Sequence, residues 1–505
     1  MGNRRRSHRP EHRTSTEYSE VRSSMQTIFD ESLMFSFREV VEDREVVEES
    51  ILEILNGNGL AGFQESLRDG MNSLSATIQQ RLIELIDSEL VSDCSRRKDW
   101  VIERKNDAKT ILSPFGPVTY RRTYFRNKRT GKYAYLADRA LGYTPHQRLD
   151  TLLEADLLEE VADSSYRKAG ESQEKRAQGT SVSGQTVLNL VRKLQPEQIE
   201  LKEKPSFKKE SRILYIEADE DHVAHQEQGL RGFEQKLVCV HEGRIRVGTN
   251  RYKLLGKKYF TFSPGIKSEK IWDTVWHYLD DHYDLEKTEY IFLSGDGASW
   301  IKSGVEYIPD SYYVMDGFHL RKAILKAAGA DDGKREALAL AIWNGKWSQM
   351  NRLLISFREE AEEESRKKAI LKVQGYLNNN WSGIQARRKY RGLLVGCSVE
   401  GHVSHILSAR LSSRPMGWSY LGANQVAHLR VHRANGINVH QIHIDQSTKE
   451  KRLFHLHHLL NQTIIPIAKA VGSNLETLGN IPLLRGSSTS FGPLLRRIAN
   501  TTLDI

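Results

Sequence analysis

Apolar and polar positions change period along the chain, and each change marks an element. In residues 25–99, Ile51, Leu52, Ile54 and Leu55, then Ile78, Leu82, Ile83, Leu85 and Ile86, recur at near-helical spacing. They predict an N-terminal helical region, interrupted by Gly57, Gly59 and Gly62. Period two takes over in residues 100–147. Ile111 and Leu112 lead into the turn signal Pro114-Phe-Gly-Pro117. Val118, Tyr120, Arg122 and Tyr124 then alternate with Thr119, Arg121, Thr123 and Phe125. That is the pattern of a β-ribbon, with residues 127–132 supplying the next turn. Residues 148–195 return to helical spacing. Leu152, Leu153, Leu157, Leu158 and Val161 form one stripe. After a polar break, Ser183 is placed to cap a helix that buries Val187, Leu190, Val191 and Leu194. Residues 196–211, rich in Lys and Glu, read as a linker. Residues 1–24, with Arg4, Arg5, Arg6, Arg9 and Arg13, read as a disordered basic tail, or as an arm that touches DNA phosphates.

From residue 212 short apolar runs alternate with helical segments. Residues 213–218 read as a strand ending in Asp219, residues 236–241 as a second and 259–262 as a third. Ile271, Val275, Tyr278 and Leu279 mark an amphipathic helix. Residues 290–293 form a fourth strand running into Ser294-Gly-Asp296-Gly, and 312–315 a fifth running into Asp316-Gly-Phe-His319. Residues 320–395 read as a helical insertion, whose charge run 359–368 suits a solvated helix face. A later helix starts near Ser398 and carries Glu400. Early strands joined by short loops are antiparallel, and later ones crossing through helices are parallel. The order predicts a ribonuclease-H-like α/β catalytic core at 212–319 and 396–440, followed by a C-terminal region at 441–505. The fold class expected overall is multidomain α+β, with an N-terminal helical and β-ribbon DNA-binding region ahead of that core and its helical insertion.

Chemistry follows from position. In such a sheet the first and fourth strands are neighbours, so Asp219 and Asp296 at their ends can meet. Val403, Leu407 and Leu411 follow Glu400 at helical intervals, which predicts that Glu400 turns inward with them. An inward carboxylate needs a cation, a proton or a hydrogen-bond partner. Converging carboxylates repel one another, and hard divalent cations relieve that repulsion. Two such ions can hold both the attacking and the leaving oxygen of a phosphodiester. Each acid also has a plainer explanation. Alternation puts Glu217, Asp219 and Asp221 on one face, so Asp221 rivals Asp219. Asp296 between two glycines also suits a turn, and Glu400 also suits a helix start, where the dipole favours an acid.

Composition narrows the class modestly. The 505 residues call for about two to four domains. Apolar content of 39% and charged content of 28% fit a globular protein, and a formal charge of +9 suits a polyanionic partner. Cys94, Cys239 and Cys397 form no CxxC pair, which argues against a disulfide framework and fits a reducing cytosol. No stretch approaches the roughly 20 apolar residues that span a bilayer, and no secretory signal opens the chain. Arg121 and Arg122 on the ribbon are DNA-binding candidates. So are Gln185, Asn189, Arg192 and Lys193 on the outer face of the Ser183 helix, in a helix-turn-helix-like setting. A solvated strand face or an ordinary helical hairpin explains the same patterns. Trp343, Trp347 and Trp381 are expected in the core. His440, His443, His455, His457 and His458 are dense but lack a familiar zinc spacing.

The stretches ILSPFGPVTYRRTYF, SYRKAGE, SVSGQTVLNLV, LYIEADEDHVA, LSGDGASWIKSG, YVMDGFHLRKAI and VEGHVSHILSARLSSRPMGWS occur in this order over roughly residues 100–420. Together they resemble the ISLre family of bacterial insertion-sequence transposases, which look related to the Mutator-like group. The resemblance implies an Asp-Asp-Glu transposase with Asp219, Asp296 and Glu400 as catalytic and metal-binding residues. It also marks Asp316-x-x-His319, similar to a Cys/Asp-x-x-His signature of the Mutator-like group. Asp316 and His319 suit a supporting role: His319 could bond a strand end, approach DNA, or be a satisfied structural histidine.

The activity expected is Mg²⁺-dependent transposition, with two ions and Mn²⁺ able to substitute. Water would free a 3′-hydroxyl at an element end, and that hydroxyl would attack target DNA. Expected partners are double-stranded DNA at element ends and target, and further copies of the chain assembled on it, with no membrane. The compartment expected is the cytoplasm, in association with the nucleoid. A structure-selective nuclease of the same fold and an inactive DNA-binding relic are the competing readings. Intact acids in all three places argue against the relic.

Overall fold

The computed structural model describes residues 59–94, 96–177, 179–194, 205–249 and 251–451. The expected basic tail, the apolar cluster at 51–55, residues 196–204 of the linker and His455, His457 and His458 lie outside the described residues. The chain divides into two compact units. Of the described residues, one takes those within 59–154, 170–182 and 443–451, and the other those within 155–169 and 183–442.

The first unit joins a long helix, α1 (Gly59–Ser92), to an antiparallel sheet of β1 (Trp100–Ser113), β2 (Gly116–Asn127) and β3 (Tyr133–Tyr135), in that spatial order. A short helix, α2 (Leu136–Leu141), follows. The ribbon and its two turns lie where the alternation predicts. Of the three glycines expected to interrupt the helices, Gly57 lies outside the described residues, Gly59 opens the described helix with φ +69°, and Gly62 lies inside it. A glycine costs a helix only about 1 kcal/mol. Packing of Ile83 against Ile111, Val118 and Tyr120, and of Leu90 with Phe125 and Leu136, outweighs it. Asp87 of α1 fastens the helix to β2 by accepting from the amide (2.9 Å) and hydroxyl (2.7 Å) of Thr123.

Residues 151–192 hold three helices rather than two: α3 (Thr151–Val161), α4 (Tyr166–Arg176) and α5 (Gly184–Arg192). The expected polar break is α4, which buries little beyond Ala169 and Gln173 and so shows no apolar stripe. Ser183 caps α5 as predicted, accepting from the Thr186 amide at 3.2 Å.

The second unit is built on a five-stranded sheet of β4 (Ile213–Val223), β5 (Phe233–His241), β8 (Lys258–Phe262), β9 (Tyr290–Gly295) and β10 (Ser311–Met315). Its spatial order is β10-β9-β4-β5-β8. Strands β4, β5 and β8 pair antiparallel, and β9 and β10 run parallel to β4. Between β5 and β8 a hairpin of β6 (Gly243–Gly248) and β7 (Arg251–Leu255) leaves the sheet; the sequence pattern gave no sign of it. Alternation along β4 sorts its side chains. Leu214, Ile216 and Ala218 join the core under helix α6 (Ser268–His282), with Trp272, Val275 and Leu279. Tyr215, Glu217, Asp219 and Asp221 take the other face.

After β10 come α7 (Gly317–Ala328), α8 (Asp332–Trp343), α9 (Trp347–Glu359), α10 (Glu364–Asn379) and α11 (Trp381–Lys389). They share an apolar core that includes Met315. Trp343 and Trp347 are not in it. They are 51% and 48% exposed, at the last position of α8 and the first of α9. Trp381 packs against that core from its edge. Helix α12 (Val399–Val403) widens into a π turn at Ser404–Ser408 and closes at Ala409–Leu411. Helices α13 (Tyr420–Ala434) and α14 (Val439–Lys451) complete the described chain. Among the described residues no helix is long and apolar enough to cross a membrane.

Candidate functional site

The carboxyl ends of three adjoining parallel strands gather the acids. The last pair between β4 and β9 is Glu217 with Ser294, and the last between β9 and β10 is Gly295 with Met315. Carrying these registers forward sets Asp219 level with Asp296, and Asp296 level with Asp316. The crevice beyond such strand ends is where open α/β sheets bind ligands. Asp219 does not end its strand, as the sequence pattern suggested. β4 continues to Val223 because β5 pairs with it along that length, whereas β9 stops earlier.

Asp219 is half-buried, and its Oδ1 accepts from the Glu220 amide at 2.9 Å. Burial pushes its carboxyl up to about 6; the negative charges of Asp296 and Glu400 add to this, and the Glu220 amide and His319 oppose it. Asp296 accepts from the Ala298 amide at 2.8 Å, in a tight turn whose next residue, Gly297, has φ +96°. A Cβ at Gly297 would meet the Asn380 side chain at 2.3 Å, so glycine is required for both reasons.

Asp316 explains the Asp-x-x-His spacing. It is the N-cap of α7, and its carboxylate accepts from the amide of His319 (3.2 Å) and faces the ring Nδ1 (3.0 Å). Burial works to raise its pKa, but these bonds and the Phe318 amide hold it below the usual carboxylate range. The Asp316 bond raises His319 above its ordinary value against the effect of burial, and the charges of Asp316, Asp219 and Asp296 add to the rise.

Glu400 differs from expectation. Val403, Leu407 and Leu411 are buried, but Glu400 is exposed. Val399, not Glu400, fills the core position of the first turn, and the π turn then shifts the helical register. Glu400 is still near enough for its charge to raise Asp219.

A buried polar network holds the helix that carries Glu400. Glu217 Oε2 accepts from the amide and the hydroxyl of Ser398, and Oε1 faces His241 Nε2 at 3.3 Å. His402 Nε2 meets Ser398 Oγ at 3.0 Å, and Tyr259 Oη meets His402 Nδ1 at 3.1 Å. Burial lowers the His402 pKa, consistent with a neutral ring that donates at one nitrogen and accepts at the other. Farther along the same helical stretch, Asp221 Oδ1 accepts from Ser408 (2.9 Å) and Ser412 (2.7 Å). Asp221 is thus a tether, and Asp219 lies between two anchoring acids on the same strand face. Sequence reasoning missed this network. Its one signal was three alternating acids in an otherwise apolar strand.

The donor set suits a hard divalent cation. It is all oxygen, and the positive group acting on Asp219 is His319. As the side chains stand, no three His, Cys, Asp or Glu among the described residues are close enough together to hold a metal ion.

The DNA-binding candidates separate. Arg122 is largely buried, pairs with Asp138 and lies 3.5 Å from the Tyr135 ring centroid, so it belongs to the fold of the first unit. Arg121 is exposed; its backbone amide donates to Glu84 Oε1 at 3.1 Å, and its guanidinium reaches the Asn106 carbonyl at 3.4 Å. Gln185, Asn189, Arg192 and Lys193 are exposed along one face of α5, and Val187, Leu190 and Val191 are buried on the other. In the C-terminal region, His440 pairs with Asp156 at 3.0 Å and His443 with Glu154 at 3.1 Å.

The family model described as an uncharacterised protein family, UPF0236, matches residues 54–448. A UPF0236 protein of Caldanaerobacter subterraneus subsp. tengcongensis is 37% identical over 399 residues, covering 79% of this chain and 83% of its own. A second from that organism is 36% identical over 393 residues, covering 75% and 82%, and its name joins eleven loci. A UPF0236 protein in the vanSb 3′ region of Streptococcus gallolyticus is 26% identical over 390 residues, covering 75% and 84%. Many paralogues in one organism is a pattern typical of mobile-element proteins. By the span of that match and the identity of these relatives, the chain belongs to the uncharacterised protein family UPF0236.

Proposed function

We propose that this chain is a DNA transposase of the Asp-Asp-Glu type, as the ISLre resemblance implies. The observation that carries the reading is the level alignment of Asp219 and Asp296 at the ends of adjoining parallel strands, with the charge of Glu400 acting on Asp219. Strand order supports it: numbered along the chain, the sheet runs third, second, first, fourth, fifth, with the last two parallel to the first. That is the order of a ribonuclease-H-like core. The many paralogues among relatives are what a mobile element leaves behind.

In this reading Asp219, Asp296 and Glu400 hold the metal, and Glu400 moves inward from its exposed position to do so. Two Mg²⁺ ions, or Mn²⁺, would supply charge neutralisation at the phosphodiester and a water of lowered pKa. Asp316 and His319 keep a positive charge beside Asp219, which favours its ionised form. The exposed face of α5 and Arg121 contribute contacts to the element ends. Copies of the chain assemble on paired ends, in the cytoplasm with the nucleoid.

The test is cleavage of a duplex carrying the inverted repeats that flank the gene, with Mg²⁺ or Mn²⁺, followed by joining of precut ends to a target plasmid. Wild type should cut and join. Asp219→Asn, Asp296→Asn and Glu400→Gln should bind the ends but do neither. Cutting without joining would replace this reading by a structure-selective nuclease. Binding without metal-dependent cutting by wild type would replace it by an inactive DNA-binding protein, and full activity in the three variants would reject the site.

A further inference from the structure

The β6–β7 hairpin is unlike the rest of the second unit. Its strands pair only with each other. From 244 to 257, every described residue except Leu254 is exposed. Both faces are open, since Arg246 opposite Tyr252 lies on one and Ile245 opposite Lys253 on the other. A lone two-stranded ribbon exposed in this way has little apolar burial to support it. Solvation alone would favour polar side chains of both signs. Instead, residues 243–257 contain no Asp or Glu and carry Arg244, Arg246, Arg251, Lys253 and Lys257. None of the five takes part in an ion pair among the described residues. Large apolar and aromatic side chains stand exposed among the cations, with Val247 57% and Tyr252 53% exposed.

We propose that this hairpin is a DNA-binding arm that lies along double-stranded DNA, with its cations on the phosphates and Tyr252 and Val247 against the sugars and groove wall. Charge complementarity selects the partner. Five cations outside any described ion pair, four on the two strands and Lys257 just beyond them, suit a regular polyanion; Arg244 lies 4.4 Å from the Tyr252 ring centroid and Arg246 Nε donates to the Gly248 carbonyl at 3.2 Å, contacts that neutralise neither charge. Apolar groups spaced between them do not form the continuous apolar face a membrane surface would need. A two-stranded ribbon is also of the width that a major groove admits. The arm is anchored beside the candidate site. The Arg244 guanidinium lies 3.1 Å from the point a Cβ on Gly396 would occupy, four residues before Glu400. DNA held by the arm is therefore held next to the segment that leads into α12. The proposal takes DNA as partner from the preceding reading, but it needs no catalysis.

The test uses the full chain without divalent metal, so that binding is read apart from cleavage. A fluorescein-labelled 30-base-pair duplex is titrated at several salt concentrations with wild type and with Arg246→Gln/Arg251→Gln/Lys253→Gln. All three positions are exposed, and equal thermal melting will verify that the variant folds. The variant should bind at least about tenfold more weakly at 0.1 M salt. Its slope of log affinity against log salt should be shallower by about 2 to 3, one phosphate contact being worth about 0.9. The loss should be the same on unrelated sequences, and the Arg246→Lys/Arg251→Lys variant should regain most of the affinity. An unchanged slope and affinity would overturn the arm, and so would a change of oligomeric state with DNA affinity intact, which would make the partner a second copy. A wild type that binds through the arm but never cuts would leave this proposal standing and remove the transposase reading.

Discussion

Ser398 and Glu217 stand 181 residues apart in sequence, yet Glu217 Oε2 accepts hydrogen bonds from both the amide (2.9 Å) and the hydroxyl (3.0 Å) of Ser398. Glu217 precedes Asp219 by two residues, and Ser398 precedes Glu400 by two. This one carboxylate therefore fixes the start of the Glu400 helix relative to the Asp219 strand.

Breaking that link should be costly. The Gly243 amide donates to His241 Nδ1, which leaves the proton on Nε2 to face Glu217 Oε1. Glu217→Ala would strand these neutral donors in a buried site, at about 1–3 kcal/mol for each one left unpaired, and should destabilise by more than any other change to this link. Glu217→Gln would turn an NH₂ toward one donor or another and should cost about 1–3 kcal/mol. Ser398→Ala removes one hydroxyl bond, about 1 kcal/mol. Urea unfolding measures all three, and wild-type stability in both Glu217 variants would reject the role.

The two ribbon arginines should part company. Asp138 is 5% exposed and accepts from Tyr120 Oη at 2.8 Å and Lys109 Nζ at 3.0 Å as well as pairing with Arg122. Arg122→Ala should lower stability by roughly 2–4 kcal/mol through lost pairing and stacking. Arg121→Ala should stay within about 0.5 kcal/mol of wild type and lower DNA affinity instead. Melting curves beside duplex binding decide this. Equal melting of the two variants would show that Arg122 is no part of the fold.

Periodicity carried most of the fold. Strand order, the ribbon, the Ser183 cap and the level meeting of Asp219 with Asp296 follow from which positions are apolar, because burial imposes those periods. What failed had either no apolar signal or a misleading one. Helix α4 buries small residues, the β6–β7 hairpin is exposed on both faces, and Trp343 and Trp347 sit at helix ends where hydrophobic character does not imply a core position. Glu400 was misjudged because i+3 and i+7 spacing cannot tell which of two adjacent first-turn residues faces inward, and Val399 takes that place. Asp221 could not be separated from Asp219 by alternation. Its partners, Ser408 and Ser412, come from sequence nearly two hundred residues away.

Acid should weaken the second unit through His428. Burial, assisted by the nearby His432 ring at 6.0 Å, lowers the His428 pKa to about 4. In the unfolded chain it protonates near its ordinary value of 6.5. Between these values the unfolded chain binds the extra proton. The stabilisation is therefore complete above about 6.5 and is lost as pH falls toward 4. Up to about 3 kcal/mol is at stake. Unfolding at pH 7.5 and 4.5 should differ by less in His428→Leu than in wild type, and an equal difference would reject the assignment.

Asp316 should govern the charge of His319. The carboxylate caps α7 through the His319 amide and bonds the ring, raising its pKa, while burial acts the other way. Asparagine caps helices as well as aspartate does, so Asp316→Asn should keep α7 and remove the ring's charged partner. The His319 pKa, followed by NMR of ¹³C-labelled histidine, should lie above its ordinary value in wild type and fall in Asp316→Asn. The linkage sign is opposite to that of His428. A folded pKa above the unfolded one stabilises fully below the unfolded value, and the gain disappears as pH rises through the folded value. Asp316→Asn should therefore lose more stability near pH 6 than near pH 8.5. A His319 pKa unmoved by the substitution would mean that Asp219 and Asp296, rather than Asp316, set its charge.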